Sequence, residues 1–148
     1  MKKNVILVIV ASIITLTLTT PIKAEDTKEQ AAIQTAENWL STIDTEQYED
    51  SWKNGAIFLK NEVTKEQWVS SMNTYRKPLG KMEERKLKSN QYMTNIPDAP
   101  HGEYVVIQFD TVFENKKEAI ETITPMLDPD GKWRVAGYFI KQNQLTNH

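Results

Sequence analysis

The sequence predicts an α+β domain with three N-terminal helices packed on a curved antiparallel sheet of about four strands. Three observations carry this. Apolar residues recur every three or four positions between residues 32 and 75, which is the helical period. From residue 105 onward they recur every second position, the strand period. The tetrapeptide Asp128-Pro129-Asp130-Gly131 supplies turn chemistry between the last two strands, so these join as a hairpin and not through a crossover helix.

Thr27 and Gln30 match a capping box, and Ala32, Ala36, Trp39, Leu40 and Ile43 follow on one face, giving a helix over 28–43. Thr45 is the cap expected for a second, shorter helix in which Tyr48 and Trp52 share a face before Asn54 and Gly55. After the apolar stretch 56–59, Thr64 with Gln67 repeats the box. A third helix should carry Trp68, Met72 and Tyr75 as one stripe until Pro78 and Gly80 stop it. Among the strands, Val105, Ile107, Phe109 and Phe113 alternate with Tyr104, Gln108 and Asp110, which puts the first set against a core. Further strands are expected over 119–126 and 133–141, with another within 82–92. Residues 95–102, with Pro97 and Pro100, read as a loop.

Residues 1–24 stand apart from this domain. Lys2 and Lys3 precede an uncharged apolar run over 5–18, then Pro21 and Ala24 stand just before Glu25. That is the order of a secretory signal peptide, and the run is shorter than the roughly 20 residues of a membrane-spanning helix. Cleavage after Ala24 is expected to leave one domain over 25–148, periplasmic or secreted, with no stable membrane span. The chain has no cysteine, so neither disulfides nor a lipidated cysteine is available. Its net charge of −2 becomes more negative once Lys2, Lys3 and Lys23 leave, which gives no general attraction to nucleic acid.

Specific residues resemble the bacterial domain of unknown function 4019 family. They are Trp39-Leu40, Tyr48 with Ser51-Trp52, Gln67-Trp68 and Arg76-Lys77-Pro78-Leu79-Gly80, then Pro100-His101-Gly102-Glu103-Tyr104-Val105-Val106, Glu121-Thr122-Ile123-Thr124 and the block from Asp130 to Phe139. The resemblance implies a nuclear-transport-factor-like, cystatin-like cone and export; it implies no activity and no catalytic residues. Such a cone can leave a pocket at its open end.

Polar residues that could face such a pocket are Asp110, Glu121, Arg76 and Arg85, with Tyr48, Tyr75 and Tyr138 as hydroxyl donors. A general base needs a carboxylate with a raised pKa, and an anion site needs an arginine fork. For Glu121 the expectation is a structural pair with Arg76 or Arg85. The basic cluster Lys81, Arg85, Lys86 and Lys88, interrupted by Glu83 and Glu84, reads as a solvated strand. His101 and His148 form no zinc-ligand spacing, and Asp128 with Asp130 is explained by the turn, so no metal and no cofactor are expected. Nucleotide-binding glycine loops and the Gly-x-Ser-x-Gly elbow are missing. Trp39, Trp52, Trp68, Trp133, Phe58, Phe109, Phe113 and Phe139 could line a ligand pocket, but at helix and strand spacing they read as core. The expected function is a non-enzymatic module that binds a small molecule or an envelope protein. The alternative is a lyase- or isomerase-like enzyme with Asp110 or Glu121 as base. The two differ in whether a carboxylate lies inside an open pocket within reach of Tyr48, Tyr75 or Tyr138.

Overall fold

The computed structural model describes residues 24–142; residues 1–23, on which most of the expected signal peptide falls, and residues 143–148 lie outside them. The chain forms α1 (Ala24–Asp44), α2 (Tyr48–Lys53), α3 (Ile57–Glu62) and α4 (Lys65–Ser71). A π-helical turn over Met72–Arg76 and a 3-10 turn over Lys77–Leu79 follow. Four strands complete it: β1 (Met82–Met93), β2 (Tyr104–Phe113), β3 (Lys116–Leu127) and β4 (Trp133–Gln142). They form one antiparallel sheet in the order β1-β2-β3-β4, a meander with β1 and β4 at its edges. The α+β class expected from the two periods is the class observed.

The α1 stripe Ala32, Ala36, Trp39, Leu40 and Ile43 is buried against Val105, Ile107, Phe109, Ile123 and Val135, and this is the main core. Trp39 lies 5.8 Å from Trp68 and 5.4 Å from Tyr138, ring centre to ring centre, which ties α1, α4 and β4 together. Pro125 occupies a central strand, where a missing N–H would break the ladder; the β3–β4 register shifts at Thr124/Pro125, so the proline coincides with a bulge.

Several helix boundaries differ from the sequence reading. Helix α1 begins at Ala24, so Thr27 is no cap; its hydroxyl donates to the Ala24 carbonyl inside the first turn. Thr45 does not cap α2 either, because its hydroxyl turns back to the Ser41 and Thr42 carbonyls and closes the end of α1. The apolar stretch 56–59 opens a fourth helix, α3. It has no side-chain cap, and its start is pinned where the Ala56 N–H donates to the Val135 carbonyl at 2.8 Å. The turn before it is tight at Gly55, where a Cβ would sit 2.6 Å from Leu59 Cδ2 and 3.1 Å from the Trp52 carbonyl oxygen. The Thr64 box forms as expected, with Gln67 N–H to the Thr64 hydroxyl at 3.2 Å and Thr64 N–H to the Gln67 side chain at 2.9 Å.

The helix after Trp68 departs most. The stripe Trp68, Met72, Tyr75 assumed an unbroken α-helix, but the turn from Met72 widens to i→i+5 bonding. The wide turn in effect accommodates one extra residue. Arg76 therefore takes the inward place and is buried (3 % exposed), while Tyr75 is turned out (67 % exposed). Tyr104, on the outward phase of β2, is also buried, because the segment before it covers that end of the sheet and its hydroxyl donates to the Pro100 carbonyl. Phe139, read as core, stands 62 % exposed on edge strand β4.

Candidate functional site

Glu121 lies on the inward phase of β3 between Ala119 and Ile123 and is entirely buried (0 % exposed). A carboxylate there must be matched by donors, and four are in place. Arg85 Nε donates to Oε2 at 2.7 Å and Arg85 Nη2 to Oε1 at 3.2 Å. The Thr111 hydroxyl donates to Oε2 at 2.6 Å and the Tyr138 hydroxyl to Oε1 at 2.6 Å. A carboxylate offers about four acceptor positions, so this one is fully occupied.

Arg85 continues into a second carboxylate. Its Nη1 donates to Asp44 Oδ2 at 2.7 Å and its Nη2 to Asp44 Oδ1 at 2.9 Å, while Arg76 Nη2 reaches Asp44 Oδ1 at 3.1 Å. Arg76 also donates to the Gly80 carbonyl at 2.8 Å and lies over the Phe113 ring at 4.4 Å. Two guanidinium groups and two carboxylates thus balance within one buried cluster joining α1, the π-turn, β1 and β3. Burial alone would lower the Arg85 pKa, but its hydrogen bonds to Asp44 and Glu121 outweigh this and raise it. Burial pushes the Tyr138 phenol well above its ordinary value, and the neighbouring Glu121 carboxylate adds to the shift.

Beside this cluster, α4 and the π-turn leave a cavity of about 570 Å³ against β4. Val63, Trp68, Met72, Tyr138 and Ile140 contribute to its wall, and Tyr75 and Phe139, both exposed, line it from the two facing elements. Tyr138 belongs to both places: its ring lines the cavity and its hydroxyl holds Glu121.

The sequence-derived candidates therefore divide. Glu121, Arg76, Arg85 and Tyr138 come together in the cluster, with Glu121 paired to Arg85 directly and to Arg76 only through Asp44. Tyr75, Arg76 and Tyr138 line the cavity. Tyr48 is buried in the main core, with its hydroxyl lacking a partner among the described residues and its pKa raised by burial. Asp110 is exposed on β2 and pairs with Lys88 at 2.9 Å, so it joins neither. The basic run on β1 is mixed and solvated at Lys86 and Lys88, but Arg85 departs from that reading by pointing into the cluster.

Asp44 and Thr111 were missed, and each carried a signal. Asp44 ends a helix, where a negative charge opposes the helix dipole and no basic residue occupies the last turn, so a remote cation was implied. Thr111 falls on the inward phase of β2 between Phe109 and Phe113, a place where a hydroxyl needs a partner.

The family model described as "Protein of unknown function (DUF4019)" matches residues 35–138. No curated protein and no solved structure matches the chain.

Proposed function

The chain belongs to the DUF4019 family, and we propose that it is an exported, non-enzymatic module that takes a small apolar molecule into the cavity between the π-turn and β4. The observation that carries this reading is the cavity itself. About 570 Å³ lies within the range of small-molecule sites, and its wall is made largely of aromatic and aliphatic side chains with two exposed rings beside it. A concavity of this size favours a small molecule over an envelope protein.

The enzymatic alternative needs a carboxylate free to take a proton from a bound substrate. Glu121 is within reach of Tyr138 but lies behind it, buried and with its acceptor positions filled by Arg85, Thr111 and Tyr138. Asp110 is outside the cavity and held by Lys88. Neither carboxylate suits the role of general base.

Export rests on the order of charge, apolar run and small residue in the leader; none of the described helices is long and apolar enough to cross a membrane. An intact mass beginning near Glu25, measured on protein from the envelope or the medium, supports that part, and a membrane-retained chain keeping residues 1–24 overturns it. Ligand binding is tested by a thermal-shift screen of small apolar molecules on the native protein and on Phe139→Ser. A molecule present at 100 times its Kd stabilises the native fold by about 2.7 kcal/mol. The reading requires at least one molecule that raises the native midpoint and loses that effect in the variant; hits that stabilise both proteins equally place the site elsewhere.

A further inference from the structure

The charges around the cavity are asymmetric in a way that bears on what it takes. Arg76 and Lys141 are among its lining residues, and among the described residues no aspartate or glutamate is. The nearest carboxylates in sequence, Glu62 and Glu66, line the adjoining groove on the far side of Val63. Arg76 is buried, and its charge is already balanced within the cluster it forms with Arg85, Asp44 and Glu121. Lys141 differs on both counts. It is exposed near the end of β4 and has no ion pair among the described residues. The interior is thus mostly apolar with its charges balanced, although Arg76 Nε has no hydrogen-bond partner among the described residues, and the rim offers Lys141 as a cation.

We propose that the ligand is an anionic amphiphile, with its apolar body between Trp68, Met72 and Phe139 and its anionic head at Lys141. This rests on the cavity being the binding site. The orientation follows from solvation: a carboxylate carried inward would lose its water and meet an arginine whose charge is already matched, whereas at the rim it stays hydrated and gains the ammonium. The rest of the chain is net acidic, so the rim of this cavity stands out against a surface that would repel the same head group.

The experiment is displacement of the uncharged dye Nile red from the protein by decanoate, decanol and decylamine, the two ions below their micellar concentrations and decanol below its solubility limit. Decanoate should displace the dye at about one-fifth the concentration that decanol needs, the scale of one solvent-exposed ion pair, with decylamine weakest. Lys141→Gln should abolish the difference between decanoate and decanol, and low salt should widen it in the native protein. Equal displacement by decanol and decanoate overturns the anionic assignment while leaving the cavity as the site. A decanoate preference that survives in Lys141→Gln overturns the place given to the head. Failure of all three to displace the dye overturns the cavity reading itself.

Discussion

Arg85 donates from Nε to Glu121 at 2.7 Å while its Nη1 holds Asp44 at the same distance, so one guanidinium fastens edge strand β1 to β3 and to the end of α1. The sheet ladder alone connects β1 only to β2, so this tie adds a side-chain link between the edge and the helical layer near the point where the chain passes from the 3-10 turn into β1. Glu121→Gln should lower stability by about 3 kcal/mol or more, because it leaves two buried guanidinium groups to share the single carboxylate of Asp44 and turns an amide nitrogen toward groups that are themselves donors. Urea denaturation of the single variants and of the Glu121→Gln, Arg85→Met pair checks it. The pair should cost clearly less than the sum of the singles, since removing either partner alone strands the other.

The bond from Tyr138 is of a different kind, neutral and shared with the cavity wall. Tyr138→Phe should cost about 1 kcal/mol, leaving Glu121 with three donors. Because burial and the adjacent carboxylate raise the phenol's pKa, it stays protonated through neutral and mildly alkaline pH, and the bond does not titrate there. In an alkaline absorbance titration Tyr138→Phe should remove a late-ionising tyrosine; loss of an early one would mean that Tyr138 is solvated.

How far these features were legible follows from where the information lay. The main core could be read because α1 and β2 are long enough for their periods to show, and Ala32, Trp39, Ile107 and Phe109 lie where those periods put them. Helix α3 could not, since it has only six residues and its start is fixed by a backbone bond to Val135, remote in sequence. The exchange of Tyr75 for Arg76 was hidden because nothing in the residue types of 72–76 announces a widened turn. Glu121 was legible as a residue needing a cation; that Arg85 would reach it and Asp44 together depended on the three-dimensional approach of α1 to β1.

Exposed and buried aromatics should separate sharply in stability. Phe109→Ala removes a ring buried among Leu40, Ile43 and Ile123 and should cost about 3 kcal/mol or more through the cavity it leaves. Tyr75→Ser and Phe139→Ser remove rings that are mostly in water and should change stability by no more than about 0.5 kcal/mol. A large loss from either serine variant would show that these rings are packed in solution, and the cavity mouth would then be closed.

In the hairpin between β3 and β4, Arg134 donates to Asp130 at 2.8 Å from Nη2 and to Asp128 at 2.8 Å from Nη1. Hydrogen bonding to Arg134, helped by the Lys132 N–H, lowers the Asp130 pKa from 3.8 to about 2. A folded value below the unfolded one means that the unfolded chain takes up the proton first. The interaction therefore contributes its whole stabilisation above about pH 4 and loses it as pH falls through the folded value near 2. Solvent exposure keeps the contribution small, so the sensitive measurement is the titration itself and not the melting point. Carboxyl NMR of Asp130 should give a midpoint near 2 in the native protein and a return toward 3.8 in Arg134→Gln. A native midpoint already at 3.8 would mean that the fork is open in solution and that Asp128-Pro129-Asp130-Gly131 holds the hairpin by its backbone geometry alone, through the Gly131 N–H to the Asp128 carbonyl at 2.8 Å and the positive φ of 79° at Gly131.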